Sequence, residues 1–140
     1  MTSSSPAPAY ILGTACLGRG LMALLSPRKE YGHVGLPFDS QAATAAPSKG
    51  HASGPDDGGS VSPLMYFKGI REISYGLALV ALQRQGSEKA LTTFAAVLSL
   101  VRLGDGLVVW LYGNELRWKA WGHWMTGAGL VGWVAWRWNR

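Results

Sequence analysis

The sequence predicts an all-α fold, an integral membrane bundle of four transmembrane helices with a long disordered loop between the first and the second. Three observations lead there. Four apolar segments of about 17–23 residues each have the length that crosses the hydrocarbon core of a bilayer. Seven Trp and nineteen Gly among 140 residues are heavy use of two residue types favoured in membrane proteins. Between the first two apolar segments lies a Ser-, Gly-, Pro- and Ala-rich stretch with hardly any large apolar side chain. The competing reading, a soluble helical bundle with a Trp-rich core, requires polar helix faces that these near-continuous apolar segments lack.

The elements follow in order. Residues 1–8 read as a polar, Pro-containing tail, and residues 9–140 as one domain. The first helix is expected over about Ala9–Leu25, an apolar run with Arg19 inside it and Pro27 as a stop just beyond. A cleaved signal peptide is the rival reading; the lack of a basic lead-in and the arginine within the apolar run count against it. SPRKEYGHVGLP comes next. The stretch 39–62 cannot bury enough surface to offset the entropy of ordering, so a disordered loop is expected there. His33 and His51 lack metal-ligand spacing to another His or Cys and are expected as solvated loop residues. The second, third and fourth helices are expected over about Leu64–Gln83, Ala90–Tyr112 and Ala120–Trp136. The polar turns RQGSEK and Gly113–Lys119 between them are short enough to make these three helices antiparallel neighbours.

The aromatic residues agree with this layout. Trp110, Tyr112, Trp118, Trp121 and Tyr66 gather at one end of the expected bundle, and Tyr10, Trp133, Trp136 and Trp138 at the other. Two such belts mark two membrane–water interfaces. The orientation stays open, because basic residues are nearly balanced between the two sides.

Depth places the ionisable groups. Let side B be the side that holds the long loop. Helix one ends at B with Arg19 in its B-side half, and helix two starts at B with Lys68, Arg71 and Glu72 in its first half. Helix three carries Arg102 and Asp105 past its middle towards B, and helix four carries His123 in its first turn. All four helices thus deliver charge to one half of the membrane, where side chains on short packed helices can meet. Lys68, Arg71, Glu72 and Tyr75 share a helical face; Lys68 and Glu72 are i,i+4, and Arg102 and Asp105 are i,i+3. Gly69 and Gly76 lie beside that face and allow a neighbouring helix to approach, as do Gly104, Gly122 and Gly127 on the later helices. The bland alternative is that these charges snorkel to the interface or serve as structural glue. Lys119 and Arg117 are interfacial and receive no role.

An ion at mid-membrane costs roughly 2.5–3.5 kcal/mol on an insertion scale, so such groups need partners or a use. Arg19, Lys68, Arg71 and Arg102 stand against Glu72 and Asp105, with His123 titratable. That positive surplus points to an anionic ligand such as a carboxylate, an enolate or a phosphate head group. Arg19, Lys68, Arg71, Arg102 and Tyr75 are the candidate ligand-binding residues; Asp105, His123 and Glu72 are the candidate proton-transfer groups if the protein is an enzyme. There is no Ser-His-Asp spacing, Walker loop, zinc set or dinucleotide fingerprint, so neither a cofactor nor a metal is expected. The net charge of +5 is scattered through apolar segments, which argues against a nucleic-acid partner. Cys16 is the single cysteine and reads as a small buried residue.

At these residues the chain resembles a known family. KGIRE followed by Gly76, LGD in the next helix, a His in the last helix and GHVGLP after the first are similar to an uncharacterised family of small four-helix membrane proteins of bacteria and fungi, domain of unknown function 4267. The resemblance covers roughly Tyr10–Trp136 apart from the low-complexity stretch. It falls on Lys68, Gly69, Arg71, Glu72, Gly104, Asp105 and His123, with Glu72 standing where many relatives have Asp. It implies the four-helix fold and the polar cluster and no established activity. An association of some fungal relatives with natural-product pathways suits a site open to lipophilic intermediates.

Three functions compete. The first is a membrane protein that binds an anionic lipid or an amphiphilic metabolite. The second is a cofactor-free isomerase, cyclase or dehydratase acting on such a metabolite. The third is a transporter subunit, which needs homo-oligomerisation because four short helices leave little room for a pathway.

Overall fold

The computed structural model describes residues 5–38 and 61–139. They form an all-α fold of five helices: α1 (Ala7–Leu25), α2 (Pro27–Val34), α3 (Pro63–Arg84), α4 (Glu88–Tyr112) and α5 (Ala120–Trp138), with a 3₁₀ segment, Asn114–Lys119, before the last. The four long helices lie within about two residues of their expected limits. The expected disordered stretch lies outside the described residues except for its end, where Ser62 caps α3 by accepting a hydrogen bond from the Leu64 amide at 3.3 Å.

α1 and α3 form the closest pair, and their sequences explain why. The buried residues of α1 are Ala9, Gly13, Cys16, Gly20 and Ala23; those of α3 are Met65, Gly69, Glu72, Gly76 and Leu79. Both sets step by four and three, a heptad stripe of mostly small residues that lets two backbones touch. Antiparallel packing sets Gly13 against Gly76 and Gly20 against Gly69. A Cβ on Gly76 would lie 2.6 Å from the Gly13 carbonyl oxygen, and one on Gly20 would lie 2.6 Å from Ile73 Cγ1. The glycine spacing expected on α3 thus receives α1.

α4 packs along α5, where Gly106 leaves room for the Trp124 indole and Gly127 faces Arg102 and Leu103. Gly104 and Gly122, expected to admit a neighbouring helix, instead face open space. A second correction concerns the neighbours. The short turn after α3 was expected to make α3 and α4 a packed pair, yet each has its main partner elsewhere and they meet over a much smaller area. Small residues outweigh chain proximity, because contact area follows how closely the backbones approach. Between the two pairs, Leu79, Leu91, Leu98 and Leu130 form the apolar core with Tyr75 and Phe94 packed against it.

The distribution of side chains is inverted relative to a water-soluble bundle. Small residues and ionised groups are buried, while Ile11, Leu25, Phe67, Leu100 and Leu111 are more than 60% exposed. α1 and α4 are long and apolar enough to cross a bilayer. α3 and α5 are 22 and 19 residues long; α3 carries charged residues within it, and α5 is rich in Gly and Trp.

Gly76→Ala is therefore expected to destabilise the protein by about 1–3 kcal/mol through overpacking. Gly104→Ala, facing open space, should be neutral or stabilising by up to about 1 kcal/mol through helix propensity. Denaturation midpoints of the two variants in a mild detergent test this; equal midpoints would show that the α1–α3 contact does not limit stability.

Candidate functional site

The site begins with a helix absent from the sequence-based layout. SPRKEYGHVG was expected to be loop, but Pro27 occupies the first turn of α2 and Gly35 ends it in the left-handed region at φ 93°. Pro at the start and Gly just past the end are the signals that identify such a helix. α2 lies across the end of the bundle where α1 stops and α3 begins. It places Glu30, fully buried, between the two. Glu30 Oε1 accepts from Arg19 Nη2 at 2.8 Å and from Lys68 Nζ at 2.9 Å.

From there a continuous line of alternating charge runs through the bundle. Lys68 Nζ is 3.9 Å from Glu72 Oε1, and Arg102 Nη2 is 3.3 Å from Glu72 Oε2. Arg102 Nη1 is 3.6 Å from Asp105 Oδ2, and Arg71 Nη2 is 3.7 Å from Asp105 Oδ1. Glu72 sits opposite Cys16, whose sulfur is 3.9 Å from Arg102 Nη2, so the small cysteine leaves space for the carboxylate in the helix seam. The order is Arg19, Glu30, Lys68, Glu72, Arg102, Asp105, Arg71. Four cations thus meet three carboxylates, which corrects the expected surplus of two, because Glu30 on α2 joins Glu72 and Asp105. Arg71 leaves the buried face, with 47% of its side chain exposed, because it lies three residues from Lys68 and one from Glu72 on a helix whose buried stripe is narrow.

His123 and Tyr75 stand apart from this line. Tyr75 packs edge-on against Phe94, ring centroids 6.2 Å apart, on the apolar side of Glu72. His123 Nε2 is 3.0 Å from the Val34 carbonyl oxygen. A carbonyl only accepts, so Nε2 carries the proton and Nδ1 is the acceptor in the neutral ring. Lys119, given no role above, donates to the Gly32 carbonyl. Two cationic or cation-capable groups thereby meet the C-terminal end of α2, where the helix dipole is negative.

Between α1, α4 and α5, under the end of α2, lies an open cleft of about 420 Å³. Its polar lining is basic or titratable: Arg19, His33, Arg102, Lys119 and His123. No carboxylate lines it among the described residues; Glu30, Glu72 and Asp105 are paired with the cations of the line. His33, expected as a solvated loop residue, sits on α2 and borders this cleft. His51 lies outside the described residues. Of the candidate binding residues, Arg19 and Arg102 face the cleft, while Lys68 and Arg71 do not border it. Of the candidate proton-transfer groups, only His123 does; Glu72 and Asp105 are engaged by Arg102.

Removing Glu30 should expose the cost of this arrangement. Glu30→Gln leaves Arg19 and Lys68 without their shared carboxylate and is expected to cost roughly 3 kcal/mol, at the low end for a broken buried pair because Arg19 can turn towards water. Adding Lys68→Met should recover part of the loss. A double variant no more stable than Glu30→Gln would mean that Lys68 is satisfied without Glu30.

No curated protein and no solved structure matches the chain. A family profile matches residues 13–137, from the first glycine of the α1 stripe to the end of α5 and including every residue of the ion-pair line and of the cleft's polar lining. By that match the chain belongs to the family described as Domain of unknown function (DUF4267).

Proposed function

We propose that the protein is a multi-pass membrane protein, with α1, α3, α4 and α5 as its spans, and that its cleft binds an anionic small molecule. The four-span reading is supported by packing. α1 and α4 have spanning hydropathy, and α3 and α5 lie antiparallel against them over most of their length, so each partner occupies the same depth. Large exposed apolar side chains around the bundle suit lipid, and Trp118 and Trp121 at one end with Trp136 and Trp138 at the other suit two interfaces.

The observation that carries the binding reading is the one-sided lining of the cleft. Arg19, Arg102 and Lys119 line it, and no carboxylate does among the described residues. An anion there meets cationic donors that their carboxylate partners already hold in place. Arg102 borders the cleft while its guanidinium is held in place by Glu72 and Asp105, which fixes the position of its charge.

The acid–base reading draws on His123, whose ring borders the same cleft. It predicts that His123→Gln abolishes conversion of a lipophilic anionic substrate while the protein still accumulates and binds that substrate. Unchanged turnover would remove it.

The binding reading has a test that leaves every existing contact in place. Gly122 borders the cleft and faces open space. Gly122→Asp introduces a carboxylate there and is expected to lower anion affinity at least tenfold, whereas Gly122→Asn should retain most of it. Mass spectrometry of small molecules that co-purify in detergent provides the readout. Equal anion content in the two variants would count against binding in the cleft.

A further inference from the structure

α2 has only 8 residues, and isolated helices shorter than about 12–15 residues are marginal in water, so tertiary contacts must hold it in place. Near its middle, Glu30 accepts from Arg19 and Lys68. At its end, the last carbonyls of a helix lack partners within it. There Lys119 donates to the Gly32 carbonyl and His123 Nε2 to the Val34 carbonyl. The Val34 side chain packs with Val109 and Ala120. Of the polar donors that fasten α2, Arg19, Lys119 and His123 also line the cleft, and α2 contributes His33 to the same lining. Apart from Lys68, the groups that hold the covering helix are therefore groups of the cleft. They have donors to spare. A guanidinium carries five N–H groups and an ammonium three. Among the described contacts, Arg19 uses one nitrogen on Glu30 and Lys119 meets Gly32, so each can meet an anion while α2 stays in place.

We infer that α2 is a ligand-linked cover: an anion in the cleft and the docked position of α2 stabilise each other through Arg19, Lys119 and His123. This rests on the reading of the cleft as an anion site. Docked α2 fixes where Arg19 and Lys119 present their charge, so an anion need not order two long, flexible side chains itself. The anion in return keeps those side chains at the cleft, where Glu30 and the Gly32 carbonyl meet them. Release of α2 removes His33 from the wall and frees the donors together. Such coupling is reciprocal: the factor by which docking raises anion affinity is the factor by which the anion favours docking. The coupled chemistry is that of a phosphate, on a lipid or free, and a membrane-borne and a water-borne probe tell these sources apart.

The experiment follows hydrogen–deuterium exchange in α2 of the full chain in zwitterionic phosphatidylcholine nanodiscs, with protein-free nanodiscs as the binding blank. Dodecyl phosphate is the membrane-borne probe and methyl phosphate the water-borne one. A saturating probe is expected to slow exchange at least tenfold at the Glu30, Gly35 and Leu36 amides, which donate to the Ser26 and Tyr31 carbonyls. Protection by methyl phosphate would make a free phosphate sufficient, and protection by dodecyl phosphate alone would assign a lipid; either supports the coupling. Val34 does not line the cleft, and Val34→Asn puts an amide into its apolar contact. That variant is expected to exchange in α2 like an unfolded segment and to bind the probe at least fivefold more weakly, whereas Gly104→Ala should change neither. If a probe binds the wild type, is lost in Gly122→Asp and kept in Gly122→Asn, yet leaves α2 exchange unchanged or faster, the coupling is overturned and the anion site stands. If neither probe binds the wild type, the anion site is wrong and the inference falls with it. Should Val34→Asn fail to accumulate, exchange in the wild type alone decides.

Discussion

Glu72 is the point at which the two helical pairs are fastened. The residue is 2% exposed, seated in the α1–α3 seam opposite Cys16, and its carboxylate is approached by Lys68 from its own helix and by Arg102 from α4. A carboxylate buried in apolar surroundings is costly unless opposite charge and hydrogen bonds surround it. That constraint reaches outwards. Arg102 must face α3, which orients α4 and, through the α4–α5 contact, α5. Lys68, placed one turn from Glu72, requires a second anion for its remaining capacity, and Glu30 on α2 supplies it. The covering helix and the junction between pairs are consequences of satisfying one buried group.

Close backbone approach makes this possible. The glycines of α1 and α3 bring the two helices near enough that a carboxylate and a thiol fill the gap where larger side chains would force the helices apart. Packing and electrostatics are therefore joined in one seam: widening it would open a path for water to Glu72, and neutralising Glu72 would leave Arg102 without its nearest anion. The cleft is the other side of the same arrangement. Arg19 and Arg102 are held by carboxylates that do not line the cleft, so its charged lining is basic although the line of charges is nearly balanced.

Much of the layout was legible from residue order alone. Segment length and polar turns locate the four long helices, and the positions of Arg19, Lys68, Glu72, Arg102 and Asp105 along them place these groups at one level. The eight-residue helix α2 escaped because amphipathic periodicity is weak over so short a span, although its Pro27 and Gly35 boundaries were readable. With it went Glu30, and so the estimate of charge surplus. The assignment of roles to Glu72, Asp105 and His123 as a set also depended on rotations that depth does not report. The structure turns the carboxylates towards Arg102 and the imidazole towards the Val34 carbonyl.

What residue order alone settles here is each group's height in the bundle, because the rise per residue is constant and the apolar segments anchor it. It also settles that Gly69 and Gly76 can receive a helix. Which helix they receive, which charge meets which, and which side of each arginine remains open depend on helix rotation and on the choice of neighbour. These are set only when all contacts are satisfied together, since a rotation of one residue, about 100°, moves a side chain from a buried seam to the exposed surface or into a cleft. For that reason the polar cluster was visible as a level in the sequence and became a line of ion pairs with a basic cleft beside it only in three dimensions.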